Sequence, residues 1–182
     1  MKYRYRQEMF RMEFKLEKWQ ANYIDDFMAA TDDPNLSDNL CETMPYPMDV
    51  AYAHEYIRER MFNSEERQIC RAIIVDGHAV GNVEVMFGEG IYSKTGELSI
   101  WLAKPYRLKG LGTEVIRTIS ALVFDEYDIL RIESHPYVSH LIASAALKKA
   151  GFFLEGTIHS AIFKDGKSYD YDVYARIKGK EL

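Results

Sequence analysis

Between Leu102 and Thr113 the chain changes its hydrophobic period across a short segment that holds two glycines, Gly110 and Gly112. Before it, Leu98, Ile100 and Leu102 alternate with Glu97, Ser99 and Trp101, as in a strand with one buried face. After it, Val115, Ile116, Ile119, Leu122 and Val123 recur at helical spacing as far as Glu126. Pro105 to Gly112 is therefore a turn from a strand into a helix, which commits the chain to an α/β arrangement. Glycines let the backbone turn tightly and bring its N–H groups close to a ligand. The first helical turn adds unpaired donors and the positive end of a dipole. Such a site suits a pyrophosphate, and Arg107 and Lys109 can add charge or direct contacts. The spacing is neither Gly-x-Gly-x-x-Gly nor a Walker loop closed by Gly-Lys-Ser/Thr. A turn with no ligand fits the same residues.

The other elements follow from period and punctuation. Phe10, Met12, Phe14 and Leu16 alternate with charged residues and predict a strand, extended backwards through Tyr3 and Tyr5. Helices are expected over Trp19–Ala30 and Val50–Phe62, the second with Tyr52, Tyr56 and Met61/Phe62 near one side. Ile69–Val75 and Val80–Phe87 flank Asp76-Gly77, and Phe152–Phe163 and Tyr169–Arg176 flank Asp165-Gly166, both strong hairpin signals. Leu130–Ser134 reads as a short strand. Ser139 is a plausible cap for a helix ending at Ala150, with Gly151 left-handed beyond it. The order is β, α, α, three strands, α, β, α, two strands, without an internal repeat or second domain.

A chain of 182 residues is long enough for one buried core. Its net charge of −5 argues against a nucleic-acid partner, which needs a basic face. No stretch is long and apolar enough for a membrane span, and no apolar run follows the basic N-terminus as in a secretory signal. Cys41 and Cys70 share no metal-ligand spacing, and His54, His78 and His159 share none either, so no metal is expected. A reduced, cytoplasmic setting is the default.

Arg107-x-x-Gly110-x-Gly112 resembles the coenzyme A pyrophosphate signature of the GCN5-related N-acetyltransferase (GNAT) superfamily. Glu97 to Arg107 is similar to that family's preceding strand, and Leu147 to Gly156 to its second signature, a helix end turning into a strand. The N-terminal helices and proline-rich segment resemble most the ribosomal-protein-alanine acetyltransferase branch. The resemblance implies a single domain over 1–182, with a central mixed, mostly antiparallel sheet flanked by helices. It implies acetyl-CoA as co-substrate and, as acceptor, a primary amine on a protein N-terminus or a small molecule. Coenzyme contacts are expected from Trp101, Leu102, Arg107, Leu108, Lys109, Gly110, Leu111, Gly112, Thr113 and His140. Backbone N–H groups of a splayed strand end near Trp101 and Leu102 would hold pantetheine and polarise the carbonyl.

His140 and Ala143 stand where the family often has Asn and Ser, and Leu147 where many relatives carry a tyrosine acid. Those departures keep open a coenzyme A-binding sensor or interaction module without turnover. A nucleotide-binding module is weaker, since no ribose-binding acid or magnesium motif accompanies the loop.

As the base that takes the amine's proton, Glu97 ranks first, Glu133 second and Glu84 third; each also reads as a structural carboxylate. His135 and His140 could shuttle protons, or serve as loop and cap residues. Seven carboxylates (Asp25, Asp26, Asp32, Asp33, Asp38, Glu42, Asp49) without an intervening Lys or Arg could form a negative lip for a cationic acceptor, or a solvated loop. Tyr46, Tyr137, Tyr169 and Tyr171 are candidates for the acceptor pocket. The closing strands could present an edge to a second copy, giving a homodimer.

Overall fold

The computed structural model describes residues 12–36 and 44–180. Phe10, Tyr3, Tyr5, Asp38, Cys41 and Glu42, named above, lie outside the described residues. The elements run β1 (Lys15–Glu17), α1 (Ile24–Thr31), α2 (Val50–Met61), β2 (Gln68–Val75), β3 (His78–Phe87), β4 (Thr95–Leu102), α3 (Leu111–Glu126), β5 (Arg131–Ser134), α4 (Leu141–Lys149), β6 (Phe153–Lys164) and β7 (Lys167–Ile177). The strands form one sheet in the order β1-β2-β3-β4-β5-β7-β6. Every pairing is antiparallel except β4 with β5. The fold is the expected mixed, mostly antiparallel sheet with flanking helices.

Period two sorts the side chains onto two faces. Ile69, Ile73 and Val75 of β2 and Leu98 of β4 pack with Val115, Ile116, Ile119 and Val123 of α3. Cys70, Ala72 and Ile74 of β2 and Trp101 of β4 face the other way, into an aromatic core with Trp19, Tyr23, Phe27 and Tyr56 around α1 and α2. Phe27 stacks on Tyr56 at 4.6 Å between ring centroids and meets Trp101 edge-on at 5.9 Å. Truncating a ring as buried as Phe27, 0% exposed, costs about 3–5 kcal/mol. That face therefore anchors α1 firmly on the sheet.

Both hairpins close as their Asp-Gly pairs require. Asp76 and Gly77 have φ of 51° and 86°, Asp165 and Gly166 51° and 75°, the left-handed pairs of two-residue hairpin turns. Helix α4 ends in a Schellman motif: Gly151 (φ 90°) donates to Lys148 O and Phe152 donates to Leu147 O.

Three local expectations shift. The first strand is shorter than predicted: its described part pairs only over Lys15–Glu17, while Met12, Phe14 and Leu16 still pack on the α3 core. The N-cap of α4 is His140 rather than Ser139, because the turn closed by His140 N–H on Tyr137 O delays the helix by one residue. Phe62 is the C-cap of α2 and stands 78% exposed, where the helix has already left the core.

Candidate functional site

Strand β4 has two strand neighbours over only its first half. Its pairing with β3 runs from Gly96 to Leu102, but its parallel pairing with β5 stops at Glu97 opposite Glu133. There the Ser134 hydroxyl donates to the Leu98 carbonyl at 2.9 Å and closes the shared ladder. From Ser99 to Leu102 the second edge of β4 carries no strand partner among the described residues. Backbone polar groups on such an edge are matched to a ligand that can pair with them. The cleft between β4 and β5 thus starts at Glu97 and opens toward the glycine-bearing loop.

That loop leaves β4 through a 3-10 turn, Lys104–Tyr106, and delivers Gly110 as the N-cap of α3 at φ 84° and ψ −12°. No side chain caps the helix, so the first-turn N–H groups depend on a partner from outside it. Leu111 and Thr113 are buried and fix the helix start, while Leu108, Lys109 and Gly110 are exposed. Leu108 adopts φ 61°, a left-handed conformation that costs a side chain about 1–2 kcal/mol. Strain of this kind persists where the surroundings impose it.

Arg107 is committed inward. Its Nε donates to Leu102 O at 2.7 Å and its Nη1 to Asp33 Oδ2 at 2.7 Å, a carboxylate whose side chain is only 4% exposed. Burial acts to raise the Asp33 carboxyl, but the Asn35 backbone N–H and Arg107 outweigh it and hold the group below its ordinary value. Arg107 Nη2 is buried and has no hydrogen-bond partner among the described residues. An orphaned cationic donor beside an uncapped helix N-terminus fits the anionic pyrophosphate of a coenzyme. His140 heads α4 near the same charge. Burial and the Arg107 charge both push its imidazole below the ordinary value, which favours the neutral ring.

Trp101 enters the site only through its backbone. Its ring is 5% exposed in the α1/α2 core, with Nε1 donating to the Tyr56 hydroxyl at 3.0 Å. Leu147 is likewise core, 2% exposed beside α3.

At the closed end of the cleft the predicted carboxylates come together on one imidazole. His135 Nδ1 lies 3.2 Å from Glu97 Oε1, and Nε2 lies 3.4 Å from Glu133 Oε1. Glu133 in turn is bonded by Arg131 at 2.7 Å. Glu97 remains 57% exposed at the side chain. The His135 hydrogen bond holds the Glu97 carboxyl below its usual value, against burial, and the same contact raises the His135 imidazole. The base expected at Glu97 is thus a carboxylate joined to a histidine. The ring of His135 also lies tilted against Tyr171 at 5.2 Å, Tyr137 meets Tyr169 edge-on at 5.5 Å and bridges to Tyr171, so three of the four candidate tyrosines gather here. Tyr46 is exposed elsewhere in the sequence-distant proline segment.

Glu84 belongs to a different network. It takes hydrogen bonds from Asn82 and Cys70 and faces Arg60 at 3.5 Å, under α2. Among the described residues of the acidic run, the carboxylates divide between separate contacts. Asp26 holds His78 and the Ala79 N–H, Asp33 holds Arg107, and Asp49 caps α2, so three of the five described carboxylates are engaged within the fold. Asp33 holds the loop arginine and Ser134 closes the β4–β5 ladder, contacts that no sequence signal marked. Their partners lie 74 and 36 residues away. No cluster of His, Cys, Asp and Glu among the described residues could hold a metal ion.

Known proteins share this fold. The family model for the acetyltransferase (GNAT) domain matches residues 13–153. The SPbeta prophage-derived uncharacterized N-acetyltransferase YokL of Bacillus subtilis (strain 168) is 27% identical over 131 residues, 71% of each chain. The microcin C7 self-immunity acetyltransferase MccE, solved with acetyl-CoA and AMP, superposes with a TM-score of 0.79 at 22% identity, covering 91% of this chain and 92% of that one. The ribosomal L7/L12 alpha-N-protein acetyltransferase RimL, solved with coenzyme A, gives 0.78 at 16% identity, covering 93% and 96%. A cleft opened by splayed strands, leading to an uncapped helix behind Arg107 and matched by the domain model over most of its length, makes this chain a member of the GNAT acetyltransferase family.

Proposed function

We infer that the chain transfers the acetyl group of acetyl-CoA to a primary amine by direct attack. The observation that carries this reading is the open edge of β4, with the uncapped start of α3 at one end and the Glu97–His135 pair at the other. The bound coenzymes of MccE and RimL support the same co-substrate here.

The Gly110–Thr113 backbone and Arg107 would bind the pyrophosphate, and the free edge of β4 beyond Leu98 would align pantetheine and polarise the thioester carbonyl. The co-substrate supplies the electrophilic carbonyl and a thiolate leaving group, which departs with little acid assistance because a thiol is far more acidic than an alcohol or amine. A core Leu147 is compatible with that chemistry. Glu97 presents its carboxylate to the cleft and His135 backs it. A proton taken from the attacking amine leaves its charge on an imidazole that two carboxylates stabilise. The Glu97 contact that raises the imidazole strengthens it as a proton acceptor.

The acceptor is a protein N-terminus or a small-molecule amine, received beside Tyr171 and His135. The free edge of β6, last in the sheet, supports pairing with a second copy, and a cytoplasmic setting completes the reading. The test is thiol release from acetyl-CoA against a panel of N-terminal peptides, polyamines, amino sugars and amino acids. Glu97→Gln is expected to lower kcat/KM by about 100-fold or more with coenzyme affinity kept. Coenzyme binding without release on any acceptor would favour a sensor. No coenzyme binding would refute the function.

A further inference from the structure

Glu97 and His135 stand at one end of a longer line of charge. Arg131, bonded to Glu133, gives its guanidinium also to Glu155, with Nη1 to Oε1 at 2.8 Å and Nη2 to Oε2 at 2.5 Å. The groups run Glu155, Arg131, Glu133, His135, Glu97, with alternating sign whenever the imidazole is protonated. Glu155 lies on β6, which is not a neighbour of β5, so Arg131 reaches over the whole of β7. Ala175, paired with Glu133 on one side and Phe153 on the other, is small enough to leave room for that crossing.

Joining strands alone does not account for this reach. Arg131 and Glu155 are 25% and 34% exposed and meet in a bidentate pair that belongs to a charge network, an arrangement that also supports the fold. Strands β5 and β6 are already joined through β7 by backbone hydrogen bonds. The line ends at Glu97, where the parallel pairing of β4 with β5 stops and the cleft begins.

We propose that Arg131 and Glu155 are positioning residues which, acting through Glu133, hold the His135 ring between two carboxylates for proton transfer at Glu97. This rests on the proton-accepting role given to the pair above. The charged and titratable groups facing the ring are Glu97 from β4, Glu133 and Arg131 from β5, and Tyr171 from β7. Without Glu155, the Arg131 charge falls undivided on Glu133 and the ring, and the imidazole loses its proton at lower pH. Without Arg131, Glu133 and Glu155 are left uncompensated, and the imidazole keeps its proton to higher pH.

The test is an NMR titration of the His135 ring C–H signals, assigned by their loss in His135→Asn, beside the pH profile of kcat/KM. Glu155→Gln is expected to move the ring titration and the acid limb of the profile to lower pH, and Arg131→Gln to move both to higher pH. Arg131→Lys, which keeps the charge but not the planar fork, is expected to keep the ring titration near wild type while the plateau of kcat/KM falls. The plateau of kcat/KM should fall about tenfold in Arg131→Gln through lost orientation. A ring titration that stays put, or moves the same way in Glu155→Gln and Arg131→Gln, would overturn the proposal. Opposite ring shifts without any move of the rate profile would instead refute His135 as the proton carrier.

Discussion

Asparagine in place of Asp33 keeps the shape of the side chain and removes the charge that meets Arg107. The Asn35 backbone N–H, 3.1 Å from Oδ1, can still be accepted by an amide oxygen, so the loss centres on the 2.7 Å contact with Nη1. Breaking one partner of a buried ion pair costs about 3–5 kcal/mol. Arg107 is 28% exposed at its side chain and keeps Leu102 O, which places this case near about 2–3 kcal/mol. For a domain of this size that corresponds to a drop of roughly 5–10 °C in Tm.

The pH dependence carries a sign. Because the folded carboxyl lies below its ordinary value of 3.8, the stabilisation is complete above that value and fades as pH falls through the folded one. Urea unfolding at neutral pH should therefore separate wild type from Asp33→Asn, and the gap should close in acid. Coenzyme affinity, read by calorimetry, should weaken about tenfold as Arg107 loses its anchor, the scale of one charge-assisted hydrogen bond. Equal midpoints at neutral pH, or a gap that widens in acid, would refute the role assigned to this pair.

The two glycines of the loop separate strain from access. Gly110→Ala meets no atom within 4 Å but must hold φ 84°, so it should destabilise by about 1–2 kcal/mol in chemical melts. Gly112→Ala meets only Leu102 Cδ1 at 3.6 Å and sits inside the first helical turn, so stability should hold or rise by up to about 1 kcal/mol, while coenzyme binding weakens because a methyl shades the N–H donors. Unchanged coenzyme affinity in Gly112→Ala would count against the cradle. Cys70 is 1% exposed, and burial first, then the Glu84 charge, push its thiol well above the ordinary range. In a Cys41→Ser background it should react with a disulfide reagent only as fast as the protein unfolds, and immediate labelling of the native chain would contradict that burial.

Much of this fold is written locally. Asp-Gly pairs close both hairpins because their φ values are available to few other dipeptides. Gly151 ends α4 and Gly110 starts α3 for the same conformational reason. Alternation placed Leu98 and Trp101 on opposite faces of β4, and the change of period marked the turn into α3. Side-chain partners across the sheet were not legible. Asp33 is one of seven similar carboxylates until the sheet brings Arg107 to it, 74 residues on. Glu97, Glu133 and His135 look like separate candidates until β4 and β5, parallel for three residue pairs, set them side by side.

The residues by themselves thus determined the strand, the loop, the helix and the family signature, because each depends on backbone geometry within a few positions. Strand order and the point where β4 and β5 part decided which charges meet, since a hydrogen bond depends on ångströms between groups that the chain keeps far apart.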